Sequence, residues 1–454
     1  MQKETEIKLR ASRETLDALR DHPALKKRNK SGWELRELFN QYYDTPTREL
    51  ARARVALRMR RDGEQFIQTL KTRGQSVAGL SERNEWDWDL EKNKLDLKKL
   101  DDQCWPAALA DLDKKQLKPI FSTDFTRQRA EIAWGRGKTK VVIEAALDLG
   151  KVIAGKQEEE ICELELELRQ GEPAALLELA LELAADLALM PCDISKAERG
   201  YRLFDPASYS IQPDTQKLLA ETPLDGAFAA LAWALLGSSQ RLAEQYRFNG
   251  HWRLLEDWLR QLVDLRALLG SLGQAVPRAT TRELRAALDA LIADWLPRIE
   301  QGRDDEAVRQ QMPDAFREEL ANTRWGQFSL GTSRWLLAKA WTEARNERAN
   351  RLGGAAVGKW LQRTLAEEAQ AMPLQRAQQL PEVLADQLPR LQRMLVWLRP
   401  ARGVLDLPEV DRLYGELAKL EELLAAPEAE DRLDALAAQA HTVLTLKPWK
   451  ALLK

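Results

Sequence analysis

A chain of 454 residues exceeds what one ordinary hydrophobic core serves, so two or three domains are expected. Its 69 basic and 71 acidic residues leave a formal net charge of −2, and residues 1–205 carry 37 basic against 38 acidic groups, the remainder 32 against 33. Nucleic-acid binding through bulk charge is thereby excluded, and any anion site has to be a local cluster. Apolar runs such as 228–236 fall far short of the ~20 residues a membrane span needs. The N-terminus is charged within its first residues and lacks the apolar core of a signal peptide. Cys104, Cys162 and Cys192 form no CxxC pair and cannot all be disulfide-bonded. A reduced, cytoplasmic compartment is therefore expected, with neither nucleic acid nor membrane as partner.

In chain order, the first element is a strand over 5–10 within an alternation that starts at Glu4, so that Glu4, Glu6 and Lys8 project from one face and Thr5, Ile7 and Leu9 from the other. Ser12 is an N-cap for a helix over 12–19. Strands are predicted over 38–44, 55–61, 65–71, 83–90, 121–134, 140–149 and 161–169, with a hairpin at Asp62-Gly63 and an amphipathic helix over 172–189. Beyond residue 213 the alternation gives way to apolar residues at three-and-four spacing, predicting helices over 253–272, 281–299, 334–349, 358–371, 388–398 and 409–424. Breaks are expected at 273–277, Gly302, Gly353-Gly354, Pro373, Pro400 and Pro427. The fold class is α+β: a strand-rich domain over 1–205, a linker over 206–216, and an all-α bundle over 217–454.

Charge sorts by sign along the strands. Acidic pairs sit on the first and last, and basic groups such as Arg58 with Arg60 and Arg127 with Arg129 on the middle ones. A solvated sheet face intersperses signs to avoid like-charge neighbours across strands. Segregated acid and base suits a site that takes a metal and a polyanion together. Eight strands closed with their charged faces inward make a polar tunnel just wide enough for one small ligand.

The ordered motifs Glu4-Thr5-Glu6-Ile7-Lys8 (ExExK), Tyr42-Tyr43-Asp44-Thr45-Pro46, Leu57-Arg58-Met59-Arg60, Thr69-Leu70-Lys71, Arg83-Asn84-Glu85 and Ser195-Lys196-Ala197-Glu198-Arg199-Gly200-Tyr201 resemble the CYTH superfamily of triphosphate tunnel metalloenzymes. The later half resembles a CHAD domain, a helical module associated with polyphosphate. Arg260, Arg266, Arg390 and Arg393 fall in its two basic helices. The resemblance implies an eight-stranded antiparallel barrel with flanking helices and metal-dependent hydrolysis of inorganic triphosphate. Mg²⁺ or Mn²⁺ would be held by Glu4, Glu6, Glu163 and Glu165. Phosphate would be bound by Arg58, Arg60, Lys71, Arg83, Arg127, Arg129 and Lys196. Glu4, Glu6, Lys8, Glu85, Glu144 and Asp148 would serve the chemistry, with Glu144 and Asp148 on a second metal or the attacking water. Long-chain polyphosphate is the partner expected of the helical half. Alternatives are adenylate cyclase or thiamine or nucleoside triphosphatase chemistry in the same tunnel, or non-enzymatic polyphosphate binding.

Overall fold

The computed structural model describes residues 2–72, 74–77, 80–211, 216–405, 407–426 and 431–454. Residues 212–215 of the expected linker lie outside these. Ten strands form one antiparallel sheet: β1 (Gln2–Arg10), β2 (Glu34–Asp44), β3 (Ala56–Asp62), β4 (Gln65–Lys71), β5 (Gln75–Val77), β6 (Leu80–Leu90), β7 (Lys118–Trp134), β8 (Val141–Ala154), β9 (Gln157–Gln170) and β10 (Met190–Pro191). Their order is β10-β1-β9-β8-β7-β2-β3-β4-β6-β5, and β1 also pairs with β6. That extra pairing, with Glu4 opposite Arg83, closes eight strands into a barrel and leaves β5 and β10 as short outer additions. The eight predicted strands are these eight; β4 matches its predicted span, and the others extend by a few residues or shift by one.

Strict alternation sorts the faces. Ile7, Leu9, Leu57, Leu70, Leu164 and Leu166 are fully buried on the outside of the barrel wall. Helices Arg13–Asp21 and Ala174–Ala184 pack on β9, and the second also covers β1. Each such leucine contributes roughly 1.5–3 kcal/mol by leaving water. Ser12 caps the first of these helices, accepting from the Thr15 amide, as the sequence predicts. A second outer layer packs Leu50, Val55, Leu100, Trp105 and Leu109 against Leu57 and Leu70. The β3–β4 hairpin turns through Gly63 and Glu64, with Gly63 at φ +58°, a conformation that favours glycine.

One end of the barrel is filled by apolar side chains: Leu38, Tyr42, Phe121, Phe125, Val152 and Ile161, capped by Leu203 of helix Lys196–Phe204. Tyr42 stacks on Phe121 at 4.7 Å between centroids, and Tyr201 meets the same ring edge-on at 5.1 Å. Asp44 fastens this end. Its carboxylate accepts from the Thr45, Leu50 and Ala51 amides and from the Tyr201 hydroxyl at 2.7–3.0 Å. A Cβ on Gly200 would lie 2.1–2.5 Å from the Phe121 ring, whose position Tyr42 and Tyr201 fix. Gly200→Ala is accordingly expected to destabilise by about 1–3 kcal/mol through overpacking, measured by chemical denaturation.

The chain divides into two compact units. The first comprises Met1–Gln212 together with Gln240–Leu255 and Asp305–Arg334; the second comprises Pro213–Ser239, Glu256–Asp304 and Trp335–Lys454. Segments of the helical half thus fold with the barrel, among them the end of helix Leu224–Asn249 and helix Glu306–Leu320.

In the second unit, Trp258 meets Trp295 edge-on at 5.8 Å and Trp360 meets Trp397 at 4.9 Å, so its tryptophans serve the core. The helix predicted over 334–349 is instead the end of helix Thr323–Leu337, a 3₁₀ turn at Ala340–Thr342 and a helix Glu347–Gly353. Lys339 adopts a left-handed backbone at φ +48° and ends the first, and Asn346 caps the last. Gly302 is not a break, because helix Arg282–Asp304 runs through it. Among the described residues, no helix is long and apolar enough to cross a membrane.

Arg260, Arg266, Arg390 and Arg393 do not form an unpaired basic groove. They pair with Glu421, Asp289, Glu368 and again Glu368, at 2.6, 2.7, 2.7 and 3.4 Å. Asp264, four residues after Arg260, is buried, and burial lifts its carboxyl to about 6; Arg260 opposes this and Glu421 adds to it. A carboxyl whose folded pKa exceeds its unfolded value favours the fold at low pH, and that contribution is lost as pH rises from about 4 to about 6. Asp264→Asn is expected to raise the melting temperature at pH 7.5, by up to about 2 kcal/mol of stability, and to change it little at pH 4. Melting curves at the two pH values check this.

Candidate functional site

Inside the barrel lies a cavity of about 210 Å³ lined by alternate residues of its strands. Glu4, Glu6 and Lys8 of β1 reach it, as do Arg58 and Arg60 of β3, Lys71 of β4, Arg83 and Glu85 of β6, Arg127 and Arg129 of β7, Glu144 of β8, Glu165 of β9, and Lys196 from the capping helix. The predicted site residues therefore converge. Asp148 and Glu163 are the two that do not line the cavity; both are buried just behind it and hold residues that do. Arg36, Asp62, Asp87, Glu167 and Arg169 also line it and were not singled out from the sequence.

Most of these charges are already matched. Lys71 Nζ donates to both Glu4 oxygens at 2.9 and 2.7 Å and lies 3.2 Å from Glu85, which is 3.6 Å from Arg58. Burial opposes the charge on Lys71, yet Glu4 and Glu85 outweigh it and raise the pKa. Lys8 pairs with Glu6 and lies 3.9 Å from Glu165. Arg127 forks onto Asp148 at 2.7 and 2.6 Å and reaches Glu165 at 2.5 Å. Lys196 Nζ donates to Asp148 at 2.7 Å, to Glu165 at 2.9 Å and also to Glu163. Arg129 bonds Glu34 at 2.8 Å, and Arg169 bonds Glu167 and Glu144 at 2.6 and 3.2 Å.

Arg60 departs from this pattern. Its Nε donates to Asn40 Oδ1 at 2.9 Å, and Asn40 in turn donates to Thr123. Among the described residues no carboxylate lies within ion-pair distance of it. Burial, then the neighbouring Arg58 and Arg127, pull its pKa down to about 10. Beside it, the Nε of Arg58 is buried without a hydrogen-bond partner. Arg60 is thus a buried guanidinium beside Arg58 and Arg127 with no carboxylate of its own among the described residues.

The carboxylates show the converse imbalance at one place. In the β1–β9 pairing Glu6 stands opposite Glu167, Lys8 opposite Glu165 and Arg10 opposite Glu163. Glu167 is therefore the last-strand carboxylate beside Glu4 and Glu6. Burial raises its carboxyl to about 7; Arg169 opposes this, and the Glu4 and Glu144 charges reinforce it. Asp148, Glu163 and Glu165 also come within 4.8 Å of one another, a spacing able to hold a cation, but Lys196, Arg127 and Arg199 already serve them. Glu4 and Glu6 do not belong to that trio. Hard carboxylates suit a divalent cation such as Mg²⁺ or Mn²⁺. Glu4, Glu6 and Glu167 are likewise engaged, by Lys71, Lys8 and Arg169, and the raised Glu167 carboxyl marks a local excess of negative charge on their side.

The CYTH domain model matches residues 2–201. An inorganic triphosphatase from Haemophilus influenzae is 36% identical over 166 residues, which are 37% of this chain and 46% of that protein, so the chain spans about half the length of this relative. Among solved structures, a Hippeastrum adenylyl cyclase candidate with a dominant triphosphatase activity is 20% identical at a TM-score of 0.32, over 45% of this chain and 100% of that one. An adenylate cyclase candidate from Bacillus halodurans is 24% identical at a TM-score of 0.25, over 41% and 90%. The likeness to the CYTH domain is thus carried by residues 2–201, the segment that forms the barrel.

Proposed function

We propose that the tunnel binds inorganic triphosphate and hydrolyses it to pyrophosphate and phosphate in a metal-dependent reaction. The observation that carries this reading is the Arg58–Arg60–Arg127 cluster, in which the buried Arg60 has no carboxylate partner among the described residues while Arg58 and Arg127 stand beside Glu85 and Asp148. A compact polyanion supplies the missing charge. The name of the Haemophilus relative supports this choice of substrate.

Breaking a P–O–P bond asks for alignment and charge stabilisation more than for covalent chemistry. Arg58, Arg60 and Arg127 fork onto non-bridging oxygens, while Lys8, Lys71, Arg83, Arg129 and Lys196 act as further positive charges. Asp148 and Glu85 orient these cations: Asp148 holds Arg127 and Lys196, and Glu85 stands beside Lys71 and Arg58. Glu4, Glu6 and Glu167, with Glu165 next to them, would hold Mg²⁺ or Mn²⁺. When bound, that ion neutralises phosphate oxygens and polarises the attacking water. Water oxygen joins the terminal phosphorus, and the bridging oxygen leaves with pyrophosphate. Glu144, engaged by Arg169, borders the same acidic side and is assigned to water orientation.

Product analysis by ³¹P NMR across tripolyphosphate, ATP and thiamine triphosphate, each with Mg²⁺ or Mn²⁺, tests the reading. Tripolyphosphate is expected to turn over fastest, giving one pyrophosphate and one phosphate per event. Cyclic AMP from ATP would overturn it in favour of a cyclase. Polyphosphate binding by the helical half receives no support from Arg260, Arg266, Arg390 and Arg393, since each is matched by a carboxylate.

A further inference from the structure

The ionic network behind the tunnel closes on a residue outside the CYTH match. Glu244, fully buried near the end of helix Leu224–Asn249, accepts from Arg10 of β1 at 2.9 and 2.5 Å and from Arg202 of the capping helix at 3.2 Å. Arg202 also donates to Gln245 at 2.9 Å and lies 3.9 Å over the Phe248 ring, so three residues of one helix end grip it. Arg10 and Arg202 share Glu159 at 3.1 and 2.7 Å, and Arg199 lies 3.6 Å from that same carboxylate. Arg199 then donates to Glu163 at 2.7 Å, and Glu163 holds Lys196 in the cavity.

Arg247 also donates to Glu244 at 3.2 Å, so three arginines converge on this carboxylate. Arg10, Arg199 and Arg202 face Glu159, Glu163 and Glu244, all of them nine-tenths or more buried. A buried ion set stripped of one member leaves an uncompensated charge that recruits a new partner. Without Glu244, Arg10 would turn to Glu163, the residue opposite it in the β1–β9 register. Glu163 would then be drawn off Lys196.

We propose that Glu244 is a positioning residue for the tunnel: acting through Arg10, Arg202 and Glu159, it keeps Glu163 on Lys196 and so keeps the Lys196 ammonium aimed at the phosphate site. This rests on the triphosphate reading above, and it places part of the tunnel's support in the sequence beyond the matched segment.

The test uses the full chain and tripolyphosphate itself. Dissociation constants and KM are measured for wild type, Glu244→Gln and Glu244→Asp, together with melting temperatures. Glu244→Gln is expected to weaken binding and raise KM about tenfold, and Glu244→Asp, which keeps the charge but shortens its reach, about threefold with near wild-type melting. A merely structural role lowers the folded fraction and leaves KM unmoved. Folded variants whose dissociation constant and KM stay within twofold of wild type would overturn the inference. So would failure of both variants to fold, which would make Glu244 a determinant of the fold alone. A wild-type chain that does not bind tripolyphosphate would overturn the functional reading itself, and the control arm separates that outcome from the others.

Discussion

Arg60→Ala is expected to lower kcat/KM for tripolyphosphate at least about 100-fold, equivalent to roughly 2.7 kcal/mol of transition-state stabilisation, while leaving the melting temperature unchanged or higher. The two effects diverge because Arg60 has no carboxylate to abandon. It is enclosed with Arg58 and Arg127, which together with burial hold its pKa near 10, and its Nε donates to the neutral Asn40. Removing a cation from among cations relieves repulsion in the unliganded protein and removes a charge-assisted contact from the liganded one. Arg127→Ala makes the contrast. That substitution strips Asp148 and Glu165 of a partner, so activity and stability should fall together. Steady-state kinetics and thermal melting on the two variants decide the matter. A marked drop in stability for Arg60→Ala would show that Arg60 is a structural cation after all.

Glu6→Ala is expected to reduce turnover by about 10³-fold and to weaken Mn²⁺ binding in parallel, with the barrel intact. Several kcal/mol of charge stabilisation from a divalent ion correspond to that factor. Glu6 pairs with Lys8, which retains Glu165 at 3.9 Å when Glu6 is gone, so no cation is stranded. Glu167→Gln should share the phenotype, because register places Glu167 directly across from Glu6. Glu163→Gln should act differently. Its carboxylate faces Lys196 and Arg199, so its loss should disturb fold stability and phosphate affinity before metal affinity. Mn²⁺ titration followed by electron paramagnetic resonance separates the three. Unchanged Mn²⁺ affinity in Glu6→Ala would contradict the assignment.

What the sequence made legible follows from periodicity. Strand alternation at Glu4, Glu6 and Lys8, or at Arg58 and Arg60, fixes which residues share a face, and a closed barrel has only one inside. Charge at those positions with uncharged residues such as Ile7 and Met59 between them was enough to place most of the tunnel lining. Alternation does not say which residue of one strand stands beside which residue of the next. Glu163, Glu165 and Glu167 are equivalent in sequence; only the pairing of Glu6 with Glu167 and of Arg10 with Glu163 makes one a metal-side carboxylate and another a support for Lys196. Arg169 was missed for the same reason, and Arg36 because its strand begins at Glu34, ahead of the start predicted at residue 38.

Long-range partners are less visible still. Arg10 and Glu244 are 234 residues apart, and nothing local to either announces the other. Helix Leu224–Asn249 shows no clean period because the consecutive residues Leu242, Ala243, Glu244, Gln245 and Tyr246 are all buried, around its whole circumference, which blurs any polar face. The recruitment of Gln240–Leu255 and Asp305–Arg334 into the first unit has no compositional signal.

The most direct measurement is a crystal structure of the full chain with a non-hydrolysable imido analogue of tripolyphosphate and Mn²⁺. Phosphate oxygens are expected within hydrogen-bond distance of Arg58, Arg60 and Arg127, with the ion on the Glu4–Glu6–Glu167 side. An analogue bound outside the barrel, or inside it with Arg60 still directed at Asn40 alone, would contradict it.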